Sequence, residues 1–282
     1  MERIHDYMLN KIFTIPNIDK MIWENNTELL LDYSKAFVDL NDKTYGTAIS
    51  TVYNHMDSAY RNEYFYKNAI FNQLLLKKHS LTDTVALTEL PISDSKADFV
   101  MINGKGVVYE IKTDLDNFNR LKNQIEDYYK AFPYVNVVVG YKNYSKAKEL
   151  LSDTSVGIFV LYNTGNLICR KKALYNDKNL SYETMFEILR KKEFESIILK
   201  HYKKLPEVNS FLYYRECLNW IKNMSKKTVH NEMLICLKKR MFSENKLIIE
   251  NKIPYELKFY SYFSKRYDCD VIGKFWEKRI EV

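Results

Sequence analysis

Four cysteines are spread through the 282 residues, Cys169, Cys217, Cys236 and Cys269, and no two stand in a CxxC spacing. The pattern offers neither a disulfide framework nor a thiolate metal knuckle, so a reduced, cytoplasmic protein is expected. No apolar run approaches the ~18 residues a membrane-spanning helix needs. The first residues, MERIHDYMLNKIFTIPN, contain no continuous apolar core of a secretory leader. There is no GxxxxGK[ST], which removes support for P-loop nucleotide hydrolysis. The five histidines, His5, His55, His79, His201 and His230, show no ligand spacing, and neither internal repeats nor low-complexity linkers occur.

What is present is a composition rich enough for a packed core: 46% hydrophobic and 15% aromatic. The formal net charge is +7. Residues 1–175 carry 21 Lys+Arg against 21 Asp+Glu, and residues 176–282 carry 22 against 15, so the whole excess lies in the last third. A region so charged suits a polyanionic partner, although a bias toward Lys, Asn, Tyr and Ile runs through the whole chain.

Periodicity divides the chain into three expected parts. Residues 1–56 form a helical N-terminal segment, with Met21, Leu29, Leu30, Tyr33, Phe37 and Leu40 at helical spacing. Residues 57–175 form an α/β core, and residues 176–282 a basic, mainly helical C-terminal domain. The core opens with one long amphipathic helix over 57–78, its stripe running Tyr66, Ile70 and Leu74. Three strand-like runs follow, VALTELPI, KADFVMI and GVVYEIKT, punctuated by SDS and NGKG. Residues 115–132 then place Phe118, Leu121, Ile125, Tyr128 and Phe132 on one helical stripe, ended by Pro133. VNVVVGY suits a strand buried on both faces. A short helix (145–151), the strand VGIFVLY and a hairpin to NLICRKK complete the order helix, three strands, helix, strand, helix, strand.

The run GVVYEIKT has the apolar alternation of a buried strand, yet Glu110 and Lys112 are two apart and share a face. Buried charge costs several kcal/mol per ion unless it is paired, hydrogen-bonded or bound to metal. The turn Asn103-Gly104-Lys105-Gly106 suits a three-residue loop with Gly106 left-handed, which pairs Asn103 with Val107. Val100 then faces Glu110 and Asp98 faces Lys112, so Asp98 shares the face of the charged pair. A two-residue loop would turn it away. Adjacent carboxylates repel unless a cation sits between them, and oxygen ligands without His or Cys fit Mg²⁺ or Mn²⁺. Glu63 heads the stripe of the first helix and supplies a third carboxylate. Thr113, Asp114 and Asp116 either support the site or start the next helix, and the latter is the expectation.

The pattern D-(x11)-E-x-K, following a helix that bears Glu63 and preceding one that bears Gln124 and Tyr128, resembles the PD-(D/E)XK nuclease superfamily. The leading pair is Ala97-Asp98, and Glu110-Ile111-Lys112 is intact. The segments RNEYFYKNAIF, TELPI-SDSKADFVMI and YEIKTDLDNFNRLKNQIEDYYK look like a little-characterised bacterial family within it. The resemblance covers residues 57–175. It implies a restriction-endonuclease-like core in which Asp98, Glu110 and the Ile111 carbonyl bind Mg²⁺ or Mn²⁺, with Glu63 a further ligand. It also implies that Lys112 balances charge on the phosphorane and that Gln124 positions Lys112, water or phosphate.

The expected function is a Mg²⁺-dependent endonuclease acting on DNA, in genome defence or mobile-element biology. The expected partners are nucleic acid and either a second copy of the chain or a protein of a defence system, with no membrane. The alternatives are a structure-selective repair or recombination nuclease, and a non-catalytic nucleic-acid-binding module on a degenerate nuclease fold.

Overall fold

The computed structural model describes residues 8–241, 253–266 and 268–281. The chain divides into two compact units, one of residues 1–82, 161–168 and 243–282 and one of 83–160 and 169–242. These units cut across the three expected segments, because the chain leaves the first unit after residue 82 and returns to it twice. The expected helical segment 1–56 and basic domain 176–282 lie outside the described residues at 1–7, 242–252, 267 and 282.

The first unit is helical. Its elements are α1 (Ile15–Glu24), α2 (Glu28–Ser34), α3 (Tyr45–Ala59), α4 (Glu63–Ile70), and, late in the chain, α11 (Lys258–Phe263) and α12 (Cys269–Glu277). The single long helix expected over 57–78 is not formed. α3 ends at Ala59, and α4 starts afresh at Glu63, where the Asn62 side chain caps the Phe65 N–H at 3.1 Å. Beyond Ile70 the helix widens into a π-helical stretch, Phe71–Leu76. In α4 the buried Asn68 donates to the Tyr53 hydroxyl at 2.8 Å and the Tyr255 carbonyl at 3.1 Å, and accepts from the Phe259 N–H. Residues 161–168 are counted with this unit, and there Gln73 donates to the Gly165 carbonyl and accepts from the Leu167 N–H.

The fold is mixed α/β, with a six-stranded sheet in the order β1 to β6. The strands are β1 (Val85–Ile92), β2 (Ser95–Asn103), β3 (Lys105–Lys112), β4 (Tyr134–Gly140), β5 (Gly157–Leu161) and β6 (Leu167–Lys171). β1, β2 and β3 form an antiparallel meander, and β3 pairs with β4 in parallel through the crossover helix α5 (Leu121–Tyr129). From Gly106 to Lys112 every residue of β3 is buried, as a strand covered on both faces requires. α6 (Tyr144–Leu151) joins β4 to β5, and its last turn is closed by a side chain from the sheet. The Lys171 ammonium donates to the carbonyls of Leu151, Ser152 and Thr154, setting a cation where the helix dipole is negative. After β6 come α7 (Tyr182–Ile188), α8 (Lys191–Tyr202), α9 (Ser210–Lys222) and α10 (Lys226–Met241), which belong to the same unit as the sheet.

The β2–β3 turn departs from the expected geometry. Val100 pairs with Val108 and Phe99 with Tyr109, two residues out of the expected register, so Asp98 stands opposite Glu110 and not Lys112. The left-handed residue is Gly104, at φ +63°, and Gly106 is needed for another reason. A Cβ at Gly106 would meet the side chains of Phe132 and Leu234 at 2.7 Å. Gly106→Val is therefore expected to destabilise the fold by about 1–3 kcal/mol through overpacking. Gly104→Ala, which has open space but a positive φ, should cost about 1 kcal/mol. Urea midpoints for both variants check the ordering; a neutral Gly106→Val would mean that Phe132 and Leu234 yield.

Candidate functional site

Four side chains meet on one face at the end of β3. Glu110 is 1% exposed, and its Oε1 accepts from the Lys112 ammonium at 2.8 Å and from the Gln124 amide at 2.6 Å. Its Oε2 accepts from the Tyr128 hydroxyl at 2.5 Å. The network closes on itself, since the Gln124 Oε1 also accepts from Lys112 at 2.9 Å. Gln124 and Tyr128 are one helical turn apart on α5 and so point the same way. The Tyr128 oxygen also lies 2.9 Å from the Lys96 carbonyl of β2, joining helix to sheet.

The geometry of α5 explains why that face is presented. The expected helix over 115–132 begins only at Leu121. Before it, the Thr113 N–H and hydroxyl both donate to the Asp116 carboxylate at 2.8 Å, folding the chain back in a turn. The expectation that Asp114 and Asp116 start the helix is thus overturned by this local competition for the backbone. At the other end, Asp127 accepts from Ser95 at 2.6 Å and from Lys130 at 2.7 Å, and Lys130 reaches Ser93 at 3.1 Å, pinning α5 to the β1–β2 turn. Burial alone would raise the Asp127 pKa, but the hydrogen bonds from Lys130 and Ser95 outweigh it and hold the carboxyl below its ordinary value.

Asp98 lies beside this network on β2. Its Oδ2 accepts from the Ile111 N–H at 2.7 Å, which binds the carboxylate to the strand that carries Glu110 and Lys112. Across the other edge of β2, Glu89 occupies the place opposite Asp98, between the Thr88–Phe99 and Leu90–Ala97 pairs. It has φ +53°, and a carboxylate oxygen lies within 4.8 Å of one of Asp98. A non-glycine residue held left-handed within a strand is a strained feature. Asp98, Glu110, Ile111, Lys112 and Gln124 are therefore brought together. Glu63 belongs to the first unit, where it opens α4, is half exposed, and pairs with Lys67 at 2.5 Å.

The sequence reading placed Tyr128 beside Gln124 without giving its hydroxyl a role, and it did not single out Glu89. Tyr128 was legible as part of an apolar stripe, but its hydroxyl, four residues after Gln124, is what completes Glu110. Nothing in the β1 sequence marks Glu89, whose position beside Asp98 accompanies a left-handed backbone conformation.

The profile of the family described as Bacteriophage P4 protein cII matches residues 56–258. The chain belongs to this family. Protein cII of Enterobacteria phage P4 itself is 28% identical over 117 residues, an alignment that covers 41% of this chain and 44% of that protein. No solved structure matches the chain. The network around Glu110 and the Asp98 carboxylate both fall within the span matched to the cII family.

Burial, and then the Glu110 carboxylate, push the Tyr128 phenol far above the ordinary tyrosine range. A pKa raised in the folded state contributes stability that is complete below the unfolded value near ~10 and is lost as pH climbs beyond it. Tyr128→Phe, which strips Glu110 Oε2 of its donor, is expected to cost about 1–3 kcal/mol at pH 8. That difference should shrink between pH 10 and 12, read from urea midpoints of both proteins; a constant difference would remove Tyr128 from the pH dependence.

Proposed function

We propose that the chain is a Mg²⁺- or Mn²⁺-dependent endonuclease that hydrolyses DNA phosphodiester bonds on a restriction-endonuclease-like core. The observation that carries the reading is the meeting of Asp98, Glu110 and Lys112 at the end of β3, with Lys112 Nζ 2.8 Å from Glu110. The donor set fits a hard divalent ion. A carboxylate has about four lone-pair sites, and Glu110 uses three for Lys112, Gln124 and Tyr128. Asp98, bound to the Ile111 N–H through Oδ2, adds a second hard oxygen donor from the neighbouring strand β2. Asp98, Glu110 and the Ile111 carbonyl would hold the ion, which supplies charge neutralisation of a phosphate and a lowered pKa for bound water.

The chain's own residues divide the remaining work. Lys112 carries three donors, of which two are directed at Glu110 and Gln124, and the third would meet a phosphoryl oxygen or the attacking water. Its role is electrostatic, as a cation held by Glu110 and Gln124 where charge develops on the phosphate. Gln124 is a positioning residue that fixes Lys112 through one atom and Glu110 through the other. The phage origin of the similar P4 protein supports the mobile-element setting over general housekeeping. The basic surplus of residues 176–282 supports a polyanionic substrate.

The network alters which variants test this reading. Glu110→Gln would be stability-neutral at an open acidic site, but here it leaves the Lys112 ammonium buried without its counter-charge. It should cost about 3–5 kcal/mol. Asp98→Asn keeps an oxygen acceptor for the Ile111 N–H and is the cleaner probe. It is expected to melt within a few degrees of the parent, lose the Mn²⁺-dependent rise in melting temperature, and abolish plasmid nicking. Lys112→Ala should slow nicking by roughly 10²–10³ and, because it leaves Glu110 buried without its counter-charge, also cost about 3–5 kcal/mol of stability. A parent that binds DNA yet nicks neither linear, plasmid nor branched substrates with Mg²⁺ or Mn²⁺ would favour a non-catalytic binding module, the reading that the near-complete burial of Glu110 supports. Cleavage confined to branched substrates would favour a repair or recombination nuclease.

A further inference from the structure

A second feature lies at the other end of β3, five residues before Glu110 and so about 17 Å away along the strand. There the β2–β3 turn, the start of β4, the segment after β6 and the first two turns of α10 surround a cavity of about 430 Å³. All of it belongs to the second unit. Lys105, Lys178, Lys226 and Lys227 line it against a single carboxylate, Asp177. Two aromatic rings form part of its wall: Tyr134 and Tyr175 meet edge to face at 5.6 Å, and the Lys105 ammonium lies 4.6 Å from the Tyr134 ring centre. The Tyr175 hydroxyl donates to Asp177 at 3.0 Å, which fixes a ring that is otherwise 55% exposed.

Solvated lysines are common on a basic protein, but His230 is not explained that way. It lines the same cavity from α10, is 9% exposed, and its Nε2 is shielded from solvent with no hydrogen-bond partner. A buried ring nitrogen in that state costs free energy that a ligand's polar atom would recover. Burial also holds the imidazole below its ordinary pKa, so His230 offers a hydrogen bond and the lysines offer the charge.

We propose that this cavity binds a nucleoside phosphate, with the phosphate on the lysines at the start of α10, the base against Tyr175, and His230 Nε2 hydrogen-bonded to the ligand. The α10 N-terminus favours an anion for the same reason its lysines do. Tyrosine faces accept any base, so selectivity for a nucleotide over inorganic phosphate should come from stacking. Asp177 is placed to accept from a sugar hydroxyl or an exocyclic amine.

The site needs no divalent ion and does not rest on the endonuclease reading, so the test is run in EDTA on the full chain. Titration calorimetry would compare dAMP, inorganic phosphate, and a short single-stranded oligonucleotide with and without a 5′-phosphate. The expected result is binding of dAMP at least tenfold tighter than phosphate, with Lys226→Glu/Lys227→Glu weakening it at least tenfold and Tyr175→Ala reducing it toward the phosphate value. All three substituted residues are exposed, so the variants should keep the parent melting profile. Binding of dAMP identifies a free-nucleotide site. Preference for the 5′-phosphorylated oligonucleotide over its dephosphorylated form identifies a strand-end site. No binding of either, affinity unchanged in both variants, or phosphate binding as tightly as dAMP would overturn the proposal.

Discussion

The burial of the Glu110 carboxylate is the constraint around which the second unit is arranged. A charge 1% exposed on a strand covered on both faces is tolerable only if each oxygen is met by a donor. β3 itself provides one donor, Lys112, and the others must come from outside the strand. That requirement fixes α5: its axis must lie where Gln124 and Tyr128 reach the same carboxylate one turn apart. The Thr113–Asp116 turn delays the start of the helix until Leu121, and Asp127 with Lys130 and Ser95 holds its far end against the β1–β2 turn. The parallel β3–β4 pairing follows, since the crossover through α5 returns the chain beside β3.

The sheet was legible because its signals are local. Alternation marked the three strands of the meander, and the β-branched run of β4 marked a strand covered on both faces. The face shared by Asp98, Glu110 and Lys112 was legible too, although the turn was misread. Moving the left-handed position from Gly106 to Gly104 displaced the pairing by two residues, and with a side-chain period of two the same residues stay on the same face. What sequence could not supply was information carried by competing local bonds. The break at 60–62 in the expected first long helix depends on the Asn62 cap. The late start of α5 depends on a side chain capturing the backbone. Tyr128 looked apolar because a phenol contributes to a hydrophobic stripe and to a hydrogen-bond network alike, and only the position of Glu110 reveals which part matters.

Charge is distributed with some economy along β3. Its C-terminal end gathers Asp98 and Glu110 against one lysine, an acidic cluster, whereas its N-terminal end faces a cavity where four lysines oppose one aspartate. Membership of the cII family spans both ends, since the matched region runs from residue 56 to 258. The basic surplus of the last third is thereby partly concentrated beside the sheet by α10, and its position is set by the fold more than by composition.

The contact of Lys171 with α6 bears on how the sheet comes apart. β6 is the terminal strand, and a terminal strand is ordinarily the first to fray. Here its last residue also satisfies three carbonyls at the end of α6 and just beyond, using every hydrogen the ammonium has. Peeling β6 away would leave those carbonyls without their cation, so the strand and the last turn of α6 open together. Amide hydrogens at this edge should exchange as one cooperative block, binding an apparently peripheral strand to the stability of the helix beneath it.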